Sequence, residues 1–301
     1  MNRREAIRNF LAFSIAGIVY KSFPGNLNSM FAQTNLPQIY SPETINKFNE
    51  IIKKANDEGW QKLPIGFCMA KVAMEFIDTP YVGNTLEGSG PEVCRINFSG
   101  MDCVTFFEAA LYLARIIKKG KTNFSDLINE VTYTRYRNGL IEDYTSRLHY
   151  TADWLFDNIK KGVVKDITKE IGGVKFSLHV SFMSHNPGYY QALKEHPEFV
   201  TKIENIEKEI NNRKYFYIPK KKLQSEEKHL QTGDIIAIAT DKQGLDYSHT
   251  GLILLGKDNI PHFVHASLKQ KKVVFDSSIY SYIKSIKSDI GITVLRPVFE
   301  E

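Results

Sequence analysis

The sequence predicts an α+β fold, with helices first and an antiparallel sheet last. Three observations predict it. Helical segments recur from Ser41, and from Thr122 to about Asn211 the periodicity is mainly helical. Near Gly233 the chain changes to short segments rich in β-branched residues and separated by turn signals. Between Ser99 and Gly120, "SGMDCVTFFEAALYLARIIKKG" carries a broad apolar face, which requires that helix to be buried against the sheet.

Ser41 is a candidate N-cap with Pro42 at the first helical position. Ile45, Phe48, Ile51 and Ile52 then form an apolar stripe, and Gly59 ends the helix. "LPIGFCMAKVAMEFIDTPYVG" predicts a second helix from about Pro64 to Ile77, halted at Thr79-Pro80. A glycine-rich stretch leads to a short extended piece, "VCRINF", and then to the buried helix. A helical elaboration is expected over about 122–230, interrupted at His196-Pro197, with "IPKKKL" (Ile218 to Leu223) as a solvated turn. The strands expected last are "DIIAIAT", "HTGLILL", "HFVHAS", "KKVVFD" and "GITVLRP".

At 301 residues, 43% hydrophobic and 24% charged, the chain is long enough to bury a sizeable core. Its net charge of +5, from 39 basic against 34 acidic residues, is spread along the chain. So dispersed an excess makes no stripe for nucleic acid, and none is expected as a partner. Residues 1–32 differ from the rest. A basic start, "MNRREAIRNF", an apolar "LAFSIAGIVY" and small residues near Ala32 follow the order of an export signal. Its apolar core is too short for a membrane span, which takes about 20 residues. The mature protein is therefore expected to be exported and periplasmic, without stable membrane insertion, residues 33–301 forming one domain. Three cysteines leave at least one thiol unpaired. Cys68 and Cys94 form a bridge, or Cys68 is a small buried hydrophobe on its helix; the spacing allows both.

Cys103 is the residue that suggests chemistry. Asp102 can cap the helix, leaving Cys103 in its first turn, where free amides and the helix dipole favour a thiolate. A cysteine nucleophile needs a base to hold its proton, and the base needs an orienting partner. His249 can be the base and His265, on the neighbouring strand, the orienter. Strand register tests this pairing. The two share a face only if paired residue numbers sum to an even value, such as Gly251 opposite His265. Pairing Leu255 with His262 would separate them, so a bulge or a longer turn through Pro261 is required. Cys103, His249 and His265 also make a set that a metal takes, but without a comparably placed carboxylate no metal and no cofactor is expected. His149, within "SRLHYTADW", has Arg147, Tyr150 and Trp154 beside it; the group reads either as a site for an anionic or sugar-like ligand or as helix packing. The remaining histidines lack an equally connected setting.

Taken together, "TPYVGNTLEG", "GMDCVTFFE", "SRLHY" with "DW", "TGDIIAI", and "DYSHTGLIL" with "FVHAS" resemble the bacterial N-acetylmuramoyl-L-alanine amidase-like family. The resemblance runs from about Phe67 to Pro297 and places the chain among the NlpC-type cell-wall cysteine hydrolases. It implies a papain-like fold, with a catalytic helix packed on a C-terminal antiparallel sheet and a helical insertion. It also implies Cys103 as nucleophile, His249 as base, His265 as the third polar residue and Tyr81 near the nucleophile. Asp102 and Ser248, flanking the nucleophile and the base, join Tyr81, Arg147, His149, Tyr150 and Trp154 as expected substrate contacts. Broader relatives often have "DCSG" where this chain has Asp102-Cys103-Val104-Thr105, and the interval between the two histidines is slightly longer than usual. The branch implies cleavage of the amide between N-acetylmuramic acid and L-alanine in small muropeptides, including 1,6-anhydro forms. The alternatives are a γ-D-glutamyl-diamino-acid endopeptidase and a non-catalytic peptidoglycan-binding module. The helical segment would wall off one end of the cleft and admit only a small muropeptide or peptidoglycan fragment.

Overall fold

Ser41 opens the first helix by the means its sequence offers. Its backbone is extended, its Oγ accepts the Thr44 amide at 3.3 Å, and Pro42 occupies the first turn of α1 (Pro42–Asp57). The computed structural model describes residues 38–299, so the expected export signal lies outside the described residues. Among those described, no helix is long and apolar enough to cross a membrane.

Helix α2 (Ile65–Met74) ends earlier than expected, in a turn where Asp78 takes a positive φ of 67°. Its Cys68 is buried with Sγ 3.9 Å from the Ala114 carbonyl, and both Cys68 and Cys94 are free thiols. Helix α3 (Cys103–Lys118) is the buried helix, followed by α4 (Phe124–Arg135) and α5 (Thr151–Lys160). Then come α6 (Phe182–His185), α7 (Gln191–Glu195) and α8 (Glu198–Asn211), the last two separated at His196-Pro197 as the sequence suggests. "IPKKKL" is not a turn. Its lysines begin α9 (Lys220–Glu226), because Leu223 is driven into the core and Lys220 Nζ reaches the Ile286 carbonyl at 2.6 Å.

Strands β1 (Gln38–Ile39) and β2 (Cys94–Arg95) make a small parallel pair. The segment between α5 and α9 is less helical than its periodicity suggests. It contributes β3 (Val164–Asp166), β4 (Val174–Phe176) and β5 (Tyr215–Pro219), too short for alternation to be read. The five expected strands follow as β6 (Ile235–Thr240), β7 (Tyr247–Leu255), β8 (Pro261–Ser267), β9 (Lys272–Ser278) and β10 (Asp289–Pro297). Their spatial order is β4-β5-β10-β6-β7-β8-β9, with β3 also on β10, and each adjacent pair runs antiparallel.

Alternation gives this sheet two apolar faces. On one, Leu252, Leu254, Val264 and Ala266 pack with Phe106, Phe107, Ala110 and Leu111 of α3. On the other, Ile236, Ile238, Ile253 and Phe263 pack with Ile279 and Ile283 of α10 (Ile279–Lys284). Each such leucine, isoleucine, valine or phenylalanine contributes about 1.5–3 kcal/mol by leaving water, whereas an exposed ion pair such as Lys53–Asp57 contributes about 0–1 kcal/mol. Burial between the layers therefore fixes where α3 lies.

Candidate active site

Asp102 sets the start of α3. Its Oδ1 accepts the Val104 amide at 3.1 Å and the Thr105 amide at 2.8 Å, while Thr105 Oγ1 accepts the Asp102 amide at 2.9 Å. This reciprocal cap leaves Cys103 as the first helical residue, partly exposed. The expected lowering of its pKa does not occur. Burial, and then the adjacent Asp102 carboxylate, push the Cys103 thiol up to about 12, against the opposing hydrogen bonds of Thr250 and of its own backbone amide. Desolvation of a thiolate costs more here than the helix start returns.

The imidazoles meet as the register argument requires. Leu255 pairs with Pro261, Leu254 with His262 and Leu252 with Val264, an even sum that sets Gly251 against His265. The longer turn through residues 256–260 supplies this register, with no bulge between β7 and β8. A bulge lies instead between β6 and β7, where Ile238 pairs with His249 and Ala239 with Tyr247, leaving Ser248 as the extra residue. Bulges re-aim the side chains beside them, and this one immediately precedes His249. His249 Nε2 lies 2.7 Å from His265 Nδ1, the rings at 87°. His265 is wholly buried, stacked on Phe263 and edge-on to Tyr282 of α10. Burial, and then the neighbouring His265, bring the His249 pKa down to about 3; burial lowers His265 too, opposed by Asp276. Both rings are neutral at pH 7.

Cys103, His249 and Thr250 line one cavity of about 340 Å³. Its walls come largely from the middle of the chain, including Arg147, His149, Tyr150, Met183 and Tyr190. These residues are mostly engaged with protein. Arg147 donates to the Leu86 carbonyl and to Glu87, each at 2.7 Å, and its Nε is 3.5 Å from Glu92. His149 Nε2 donates to the Tyr144 carbonyl at 2.7 Å; burial and then Arg147 hold its pKa well below the usual value. Tyr150 donates to Glu207 at 2.6 Å and accepts the Met183 amide at 3.0 Å, so its hydroxyl is engaged within the protein. Ser248 also lines the cavity, its hydroxyl donating to Asp289 at 2.8 Å.

One expected contact lies elsewhere. Trp154 is 2% exposed, donates to Glu108 at 3.0 Å and packs edge-on against Phe107, so it belongs to the core. Tyr81 is outside the cavity lining but lies close enough to Cys103 and Asp102 for their charges to act on it. It is held by a bridge to Met101, and burial followed by Cys103 and Asp102 raises its hydroxyl pKa. Sequence reasoning missed Thr250, whose hydroxyl lies against the sulfur and has no other partner among the described residues, and missed Asp276 and Tyr282 around the imidazoles. Parity on β7 could have found Thr250; nothing in the sequence marks the other two.

A helix-borne cysteine and a strand-borne imidazole on one cavity define a class, the enzymes that use a cysteine for acyl transfer. The chain belongs to the N-acetylmuramoyl-L-alanine amidase-like family, whose model matches residues 71–292. It is similar to the crystal structure of an N-acetylmuramoyl-L-alanine amidase from Bacteroides uniformis ATCC 8492. The identity is 36%, the TM-score 0.74, and the match covers 78% of this chain and 99% of that one. A Bacteroides fragilis protein described as a candidate xylanase is 37% identical, with a TM-score of 0.71 over 75% of this chain and 99% of that one. A Legionella pneumophila protein, 21% identical with a TM-score of 0.64, shares the fold over 87% of this chain and 98% of that one. No curated protein matches.

Proposed function

We propose that this protein hydrolyses the amide between N-acetylmuramic acid, in its 1,6-anhydro form, and L-alanine in small muropeptides. It acts as an exported, periplasmic NlpC-type hydrolase of papain-like fold, with residues 33–301 as one catalytic domain. The observation that carries this reading is the shared cavity: Cys103 and His249 both line it, and His249 is held at 2.7 Å by His265. A volume of about 340 Å³ is at the small end of ligand sites, roughly 300–1,000 Å³. That suits a fragment better than the intact wall.

In this mechanism His249 takes the thiol proton as Cys103 Sγ attacks the lactyl carbonyl. The negative charge that develops on oxygen is received by the amide at the start of α3, with Tyr81 nearby. His249 then passes the proton to the departing amine of L-alanine, leaving a thioester on Cys103. Water, activated by the same imidazole, releases the acyl group, and His265 keeps His249 oriented throughout. Starting from a neutral thiol and a neutral imidazole, proton transfer accompanies attack.

A glycosidase reading, which the description of the Bacteroides fragilis protein invites, needs two free carboxylates across the scissile bond. The cavity's carboxylates are engaged: Asp102 in its cap, Glu87 with Arg147, Glu108 with Arg135 and Trp154, Asp246 with the Ala152 amide. The test is mass spectrometry of the products from a defined anhydro-muropeptide. Free stem peptide supports the amidase, and a released fragment ending at D-glutamate supports the endopeptidase. Cys103→Ala is expected to abolish turnover, and undiminished product from that variant removes the mechanism.

A further inference from the structure

A carboxylate completes the line of groups behind the nucleophile. Asp276 stands on β9 two residues beyond Val274, the partner of His265, where the β8–β9 register shifts by one residue, and its carboxylate reaches the His265 ring. Its Oδ2 lies 3.4 Å from His265 Nε2, and Oδ1 accepts the Ser277 amide at 2.6 Å. Gln270 Nε2 also lies 3.4 Å from Oδ2. Partial burial works against ionisation, but the Ser277 amide and His265 outweigh it and bring the Asp276 pKa below its ordinary value.

The protons can now be placed. An ionised carboxylate only accepts, so the hydrogen in its contact with His265 is carried by Nε2. A neutral imidazole carries one proton, which leaves His265 Nδ1 bare. The 2.7 Å contact between that atom and His249 Nε2 must then be made by a hydrogen on His249. His249 Nδ1 is consequently bare, and it is the nitrogen free to take the thiol proton. We propose that Asp276 is a positioning residue that sets the tautomer of both imidazoles and supports the positive charge on the pair once the thiol proton has been taken. Packing helps it. Phe263 stacks on His265 at 4.6 Å between centroids, and Tyr282 closes the other side at 4.8 Å, so a ring flip would have to displace both.

The kinetic consequence rests on the Cys103–His249 reading of catalysis; the tautomers do not. The deciding measurement is therefore imidazole ¹⁵N NMR of the ligand-free, otherwise unmodified protein, in which His249 and His265 are both expected as Nε2–H tautomers. Asp276→Ala should lose the single His265 tautomer and lower kcat about tenfold with KM unchanged, at an unaltered thermal midpoint. The side chain is 26% exposed, and Asp276→Asn, which keeps shape without charge, should also lower kcat. His265 found as the Nδ1–H tautomer in the unmodified protein overturns the proposal, as does full kcat in both variants. If the tautomers are as expected and no muropeptide is cleaved, the function is wrong and the proton assignment stands.

Discussion

At Cys103 two effects of comparable origin oppose each other. The helix start offers amides to a thiolate, while the protein around the sulfur removes the water a thiolate needs. Burial prevails and the thiol is pushed up to about 12. The sequence, which displays the cap but not the surroundings, suggests the reverse. The consequence is measurable as the rate of alkylation in ligand-free protein, read at Cys103 by peptide mass spectrometry. Labelling should rise continuously from pH 7 to 10, because the thiolate fraction increases with pH throughout that range. A plateau reached below pH 7 would mean a preformed thiolate and would sink this account of the resting state. In that event catalysis would begin from an ion pair instead of from a neutral pair.

Between β7 and β8 the register does what no single residue can. Gly251 stands opposite His265, and a Cβ built on it would lie 2.6 Å from the Phe263 ring and 2.7 Å from the Val264 carbonyl. The carbonyl belongs to the neighbouring strand and cannot swing away as a side-chain tip can. Gly251→Ala must therefore push β7 from β8 where the imidazoles meet, at a cost of about 1–3 kcal/mol from overpacking. The expected result is a lower urea midpoint and a lower kcat together. Unchanged activity in a variant destabilised by that amount would show that the 2.7 Å contact tolerates strand movement. The requirement for an even sum of paired residue numbers was legible beforehand. The way it is met, by a long turn and not by a bulge, was not legible, since turn geometry depends on how residues 256–260 pack.

Across the whole molecule, buried ionisable groups tie the layers together. Glu108 of α3 takes Arg135 of α4, Trp154 of α5 and its own neighbour Tyr112, and Glu207 of α8 takes Tyr150 and Ser184. Three histidines are held neutral as well: His265 is buried, His149 and His249 are partly buried, and all have lowered pKa values. For such a base the unfolded chain binds a proton that the folded chain refuses, so its contribution to stability falls as pH drops below about 6.5. Buried acids with raised values, Asp246 at about 6 among them, push the other way over an overlapping range. The informative readout is therefore a difference. His149→Gln, which can still donate to the Tyr144 carbonyl, should gain stability relative to the unmodified protein as pH is lowered from 7 to 5. Parallel melting curves at the two pH values would mean that His149 is not held neutral.

Local rules of the chain determined by themselves that Ser41 and Asp102 begin helices, that α3 is buried, and that five strands follow Gly233. Each depends on caps, period or β-branching over a few neighbouring residues. The same rules singled out Cys103, His249 and His265, because a nucleophile, a base and an orienter are recognisable as residue types. Only the tertiary structure decided that burial outweighs the helix start at the thiol and that Trp154 belongs to the core. It alone brought Asp276 from a further strand to His265, and drew short strands from a segment with helical periodicity. Those outcomes depend on which distant groups exclude water and which come within hydrogen-bond reach, and neither is a property of neighbours along the chain.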